Sequence, residues 1–283
     1  MPEQTAPAKI NLGLHVLSKR DDGFHDIETV FLQIPWADRI AVEEANRLSL
    51  TCSTDALPTD QSNLCLQAAH RLAQAYGVEQ GAKLHLEKHL PFGAGLGGGS
   101  SDAATTLRLL NELWCLNAPD EHLHQLATEL GSDVPFFLGP PAAYATGRGE
   151  QLSPLRDPQS GAPYRFPFVL VLVVPPVHVS TAEAYGRVRP QASGRPDLSA
   201  IVASNDLARW RTCLVNDFEM PVFKAHPEVY EAKLLLLEAG AGYASLSGSG
   251  AAVYGVFDEA KEALDAVHIA QRNGHRVWHG RLG

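Results

Sequence analysis

Glycines at 93, 95, 97, 98 and 99, followed by Ser100 and Ser101, crowd the segment "PFGAGLGGGSSDAA" (91–104) in front of a helix-forming run. Glycine costs a helix about 0.8–1.0 kcal/mol per residue relative to alanine, so this density needs a reason. A helix N-terminus presents unpaired N–H groups and a positive dipole end. A glycine-rich approach lets phosphate oxygens reach them. The alternative is a capped helix after a flexible turn; the density favours phosphate. The segment is not a Walker A loop, because no Gly-Lys-Ser/Thr closes it. Gly93, Gly95 and Gly98 do match GxGxxG after an alternating run at 83–90. A dinucleotide fold, however, needs a strand straight after the helix, ending in an acidic residue. Residues 119–130 instead read as a second helix, with Pro119 at its start and Gly131 after its end. The helix after the helix rules that fold out.

The rest of the chain has the same mixed character. In "AKINLGLHVL" (8–17), Ile10, Leu12, Leu14 and Val16 share one face, and Lys9, Asn11, Gly13 and His15 the other, which predicts a half-buried strand. Asp22-Gly23 predicts a hairpin into a second strand. "DRIAVEE" and "RLSLTCS" predict further short strands, and residues 63–76 a helix with Ser62 as N-cap and Gly77 as its stop. Residues 147–167 read as a connection between halves, and 189–200 as a surface loop. A buried strand at 168–174 and a helix near 180–187 follow. From 227 onward helix, strand, tight turn, strand, helix and strand succeed one another. Together with 168–174 this gives β-α-β-β-α-β, a ferredoxin-like plait.

Composition excludes some functions. No run approaches the ~18 apolar residues of a membrane span, and the start lacks a signal-peptide pattern, so a cytoplasmic protein without a membrane partner is expected. The net charge of −9 and the lack of a Lys/Arg cluster argue against nucleic acid. Cys52, Cys65, Cys115 and Cys213 fit no zinc spacing and read as buried reduced thiols. No protein metal site is expected.

"PFGAGLGGGSSDAA" resembles the nucleotide-binding motif of the GHMP kinases. "PAKINLGLHVL" (7–17) is similar to their N-terminal motif and "SLSGSGAAVYGVF" (245–257) to their C-terminal glycine motif, so the resemblance spans nearly the whole chain. It implies an α+β GHMP kinase fold: an N-terminal α/β domain like the second domain of ribosomal protein S5, over 1–155, and a C-terminal ferredoxin-like domain, over 156–283. The active site is expected between them. "KRDDGFHDIETVF" and "GSDVPFF" resemble the family branch whose acceptor carries a cytidine diphosphate. They imply ATP-dependent phosphorylation of its 2-hydroxyl in isoprenoid precursor synthesis. ATP implies Mg²⁺, held mostly by phosphates and water. The partner implied is that small molecule, bound by a monomer or weak homodimer. Another kinase of the family, acting on mevalonate, homoserine or a sugar, and an inactive nucleotide-binding module are the alternatives.

Carried onto this sequence, the resemblance makes Asp133 the catalytic base and Lys9 the catalytic lysine, pairing with Asp133. Taken alone, Asp133 before Val134-Pro135 also suits a helix cap, and Lys9 a solvated strand end. Pro91, Gly95, Gly97, Gly98, Gly99, Ser100 and Ser101 would hold the ATP phosphates. Asn63 would lie on the purine side, or cap its helix. Asp102 reads as complementing the helix dipole. On the acceptor side, Asn11 would orient the substrate, and Phe24 and His25 would stack on and hydrogen-bond cytosine. Tyr185 would supply the second stacking face. Phe24 stands where the family more often has tyrosine, keeping the π-face. Gly248 and Ser249 would close the site, unless their segment is a plain hairpin turn. Pro140-Pro141 depart from the family's usual glycine.

Overall fold

The alternating residues 10–16 form the middle of β1 (Glu3–Lys19), and the Asp-Gly turn returns the chain into β2 (His25–Ala45). The computed structural model describes residues 1–282. Both faces of β1 are buried: Lys9, Asn11 and His15 are as enclosed as Ile10 and Leu12. The expected half-buried strand is thus a fully covered one. β2 is 21 residues long, about 70 Å of extended chain. Residues 38–44, expected as a separate strand, are its last third. That length lets β2 serve β5 and β4 at different stretches, since Leu32 faces Ala142 and Val42 faces Leu84, besides pairing with β1.

β3 (Ser49–Cys52) runs parallel to β4 (Gly81–Glu87), and α1 (Leu64–Tyr76) is the crossover that a parallel pair requires. Asn63, not Ser62, caps α1: its Oδ1 accepts the Cys65 N–H at 2.9 Å. α2 (Gly98–Leu113) and α3 (Asp120–Leu130) follow the glycine segment, and a 3-10 turn covers Pro135–Leu138. Next come β5 (Ala142–Thr146) and β6 (Gln151–Pro154), antiparallel to each other. Neither was anticipated: β5 is a short Ala-rich run, and β6 lies inside the polar stretch read as a connection. The first sheet has the order β3-β4-β2-β5-β6, with β1 also on β2.

β7 (Val169–Val174) begins the second sheet, followed by α4 (Thr181–Arg187), α5 (Leu198–Ala203), α6 (Leu207–Cys213), α7 (Glu219–Ala225) and α8 (Pro227–Glu238). α5, α6 and α7 were not expected. They span six or seven residues, too short for a 3.6-residue period to show. Asp197 and Asp206 cap the first two, each accepting backbone N–H groups. β8 (Tyr243–Leu246), β9 (Val253–Phe257), α9 (Ala260–Arg272) and β10 (Arg276–Arg281) complete the chain. The sheet order β10-β7-β9-β8, antiparallel throughout, is that of the expected plait.

Packing divides the chain differently from a cut at residue 155. One compact unit comprises 1–9, 33–92 and 97–141; the other comprises 10–32, 93–96 and 142–283. The first has α1, α2 and α3 packed together, with Leu72, Leu107, Leu110 and Phe136 fully buried. In the second, α8 and α9 cover the plait around Val171, Val173, Leu236 and Phe257. Of the four free cysteines only Cys65 is buried; Cys115 is exposed in the turn after α2. No helix among the described residues is long and apolar enough to cross a membrane.

Candidate active site

Lys9 Nζ lies 3.3 Å from Asp133 Oδ2. The two environments differ. The Lys9 side chain is 5% exposed and the Asp133 side chain 32%. A buried ammonium therefore faces a carboxylate with one open side. Asp133 caps nothing: the 3-10 turn that follows has Val134 at its start and no side-chain cap. The capping alternative is set aside, and the carboxylate's ion pair is with Lys9.

The glycine segment approaches this pair. Gly95 and Gly97 have φ of 76° and 70°, in the left-handed region that glycine enters without strain. A Cβ on Gly97 would stand 2.9 Å from Lys9 Cγ and 3.0 Å from the Phe137 ring. The Lys9 stem thus runs beneath the residue that opens α2. No side chain caps α2, and its first helical bond is from Ser101 N–H to the Gly97 carbonyl at 2.9 Å. The earlier N–H groups point out of the helix end, as an anion site requires. Ser100 is half-buried at that end. Ser101 is fully buried, its Oγ without a partner, so its hydroxyl is not on offer at the surface. Pro91 is half-buried ahead of the segment. Asn63 commits its amide to structure, since Nδ2 also donates to the Pro58 carbonyl at 2.8 Å.

Asp102 does not sit in the first turn of α2. It belongs to a buried cluster: Lys88 Nζ pairs with Asp102 Oδ2 at 2.8 Å and with Asp38 Oδ2. Asp38 Oδ1 also accepts the His89 and Leu90 N–H groups at 2.6 and 2.8 Å. Burial pushes the Asp102 carboxyl up to about 7, against the opposing pull of Lys88. A Cβ on Gly98 would lie 3.5 Å from Lys88 Nζ, so the cluster supports the first residue of α2. Sequence reasoning missed this partnership; its one signal was Lys88 standing between Leu86 and Leu90 on the apolar face of an alternating run.

Among the residues expected to bind the acceptor, the rings of His25 and Tyr185 stack at 4.8 Å with an interplanar angle of 27°. Phe24 does not share this stack. It is 51% exposed, with the Arg148 guanidinium 4.9 Å above its ring. Burial, with the charge of Lys19, lowers the His25 pKa from 6.5, which keeps the imidazole neutral at neutral pH. A neutral ring offers one donor and one acceptor. Asn11 Nδ2 donates to Thr29 Oγ1 at 2.9 Å, and that hydroxyl donates to the Gly13 carbonyl at 2.6 Å. The chain of donors fixes which way the Asn11 amide faces. Gly248 and Ser249 lie in the connection between β8 and β9, which is a hairpin turn and also packs on the glycine segment. A Cβ on Gly95 would meet the Ser247 carbonyl at 2.2 Å. Ser249 Oγ is 3.1 Å from Thr181 Oγ1.

Family models for the GHMP kinases N terminal domain and the GHMP kinases C terminal match residues 63–139 and 198–275. The chain belongs to the GHMP kinases. This GHMP kinase is 57% identical to the 4-diphosphocytidyl-2-C-methyl-D-erythritol kinase of Salinibacter ruber, over 93% of each chain. It is 47% identical to the enzyme of that name from Chlorobium luteolum, over 93% of this chain and 91% of the other. Among solved structures it is similar to a 4-(cytidine 5'-diphospho)-2C-methyl-D-erythritol kinase, with a TM-score of 0.81 and 36% identity, covering 100% of this chain and 99% of that one. A homoserine kinase from Cytophaga hutchinsonii, 18% identical with a TM-score of 0.70 over 98% of this chain and 94% of the other, shares the fold.

Proposed function

We propose that this GHMP kinase transfers the γ-phosphoryl group of ATP to the 2-hydroxyl of 4-diphosphocytidyl-2-C-methyl-D-erythritol, a step in isoprenoid precursor synthesis. The names of its relatives support the acceptor. The observation that carries the chemistry is the Lys9–Asp133 pair beneath an uncapped, glycine-led helix end. The open side of Asp133 accepts the hydroxyl proton. The acceptor oxygen then bonds to the γ-phosphorus, the bond to the bridging oxygen breaks, and ADP leaves. Lys9 is already 95% covered, so its charge acts with little screening on the developing oxyanions. The N–H groups of Gly98, Gly99 and Ser100 are suited to hold phosphate, with no side chain in the way.

Mg²⁺, when bound with ATP, neutralises phosphate charge. Among the described residues no group of three His, Cys, Asp or Glu side chains could cage it. Its ligands would come mainly from phosphate oxygens and water. The stacked His25 and Tyr185 suit a cytosine base, which the acceptors of the other family branches lack. The net charge of −9 accords with a small-molecule substrate rather than nucleic acid. In sequence terms we place the two family domains at 1–155 and 156–283, and each family model falls within one of them.

ADP release with each acceptor tests the assignment. Turnover is expected with the cytidyl substrate and not with mevalonate, homoserine or a sugar. ATP binding without turnover on any of them would sink the kinase reading. His25→Ala should raise the KM for the cytidyl substrate about tenfold, from the ~1–3 kcal/mol that leaving the base edge without its hydrogen-bond partner costs. The KM for ATP should stay within about twofold, since that change touches only acceptor binding. An unchanged cytidyl KM would remove His25 from base recognition.

A further inference from the structure

Asn216 lies between α6 and α7, is 2% exposed, and belongs to none of the motifs above. Both of its amide hydrogens are used on one feature. Nδ2 donates to the Leu246 and Gly248 carbonyls, each at 2.9 Å, spanning the turn between β8 and β9. Its Oδ1 accepts the Phe218 N–H at 2.9 Å, which fixes the amide's orientation. The segment carrying Asn216 is anchored on β1. Leu14 N–H donates to the Val215 carbonyl and Asp217 N–H to the Leu14 carbonyl, both at 2.9 Å. Val16 N–H donates to Asp217 Oδ2 at 2.8 Å.

The other side of the same turn grips the glycine segment. Ser247 Oγ donates to the Gly95 carbonyl at 3.0 Å, and Ala252 N–H to the Ala94 carbonyl at 3.0 Å. Backbone lies directly on backbone here: Gly95 has no room for a Cβ, which would meet the Ser247 carbonyl at 2.2 Å, and a Cβ on Gly248 would touch the Gly95 carbonyl oxygen at 3.4 Å. The turn is closed by Ser247 N–H to the Ala252 carbonyl at 2.8 Å and Gly250 N–H to the Ser247 carbonyl at 3.0 Å, but its glycines add little stiffness between those bonds. Something must hold it, and the Asn216 amide spans it.

We infer that Asn216 is a positioning residue for the nucleotide loop. It holds the 246–252 turn against Ala94 and Gly95, and so sets the backbone path by which the chain enters the phosphate-binding glycines. Its effect on ATP rests on the kinase reading above; its effect on the clasp does not.

Two variants test this. Asn216→Asp keeps the shape and the Oδ1 acceptor but replaces both donors with lone pairs. Ser247→Ala removes only the hydroxyl that reaches Gly95. The Ala252 amide reports the clasp directly, because its acceptor is the Ala94 carbonyl. Hydrogen exchange at Ala252 should accelerate at least about tenfold in both variants, with α9 amides unchanged, as local opening predicts. The KM for ATP should rise roughly 10–100-fold, the scale on which a small misplacement of binding groups acts. Wild-type exchange at Ala252 together with an unchanged ATP KM would overturn the inference, even if thermal stability fell. Should Asn216→Asp fail to fold, Ser247→Ala decides by the same two readouts. Absence of turnover in the wild-type chain would defeat the kinase reading alone, and Ala252 exchange would still decide whether Asn216 holds the turn.

Discussion

Asp133→Asn should lower kcat by about 10²–10⁴-fold, the usual contribution of a positioned general base. Asparagine keeps the shape but cannot take the hydroxyl proton. The fold should be retained, with some loss of stability because the buried Lys9 ammonium loses its charged partner. The carboxylate is about one-third exposed and caps no helix, so the substitution strands no backbone group. The KM values for ATP and for the cytidyl substrate should move little, because the lost interaction is made with the reacting hydroxyl in the transition state. Lys9→Met is the companion variant. Methionine refills the space beneath Gly97 that the lysine stem occupies, so what disappears is the charge. Its kcat should fall strongly too. The pair acts as one unit, so the double variant should cost much less than the product of the single losses. Steady-state ADP release on variants that remain folded at the assay temperature would measure this. Turnover within about threefold of wild type in either single variant would take that residue out of the chemistry.

Lys88→Met should produce the largest loss of stability, about 3–5 kcal/mol. The ammonium holds two buried carboxylates, Asp38 and Asp102, and removing it strands both. The loss should depend on pH with a definite sign. Even in the intact cluster burial pushes the Asp102 carboxyl up to about 7, from an ordinary value of 3.8. A carboxyl raised in the folded state contributes stability below its unfolded pKa, and that contribution is lost as pH rises through the folded value. Without Lys88 the carboxyl rises further, so the gap between variant and wild type should widen from pH 4 to pH 8. Urea unfolding midpoints across that range would show it, and a gap that narrows with rising pH would contradict the assignment. Asp102→Asn alone should be mild, because its protonated form is already close to neutral asparagine.

The cluster also shows why some of the candidate site was legible in the sequence and some was not. Alternation in 8–17 and the helical stripes announced β1, α1, α2 and α3, because a local period reports which side chains face a core. The glycines of 93–99 announced an unusual backbone path into α2, because only such a path needs so many. The same periods could not reveal that the polar face of β1 is buried. That depends on what packs over Lys9 and Asn11, which lies far along the chain. Nor could they show the three short helices between β7 and α8, where each period is barely begun.

By itself, the sequence determined the plait topology and the unusual backbone of the glycine segment, since each is written in neighbouring positions, and it named the residues we propose for phosphate binding and transfer. Only the tertiary structure decided the partners. Asp133 pairs with Lys9 instead of capping a helix, Asp102 joins Lys88 and Asp38 instead of complementing a dipole, and His25 stacks on Tyr185 while Phe24 meets Arg148. These are contacts across long loops, chosen by how the layers pack, and no local period encodes them.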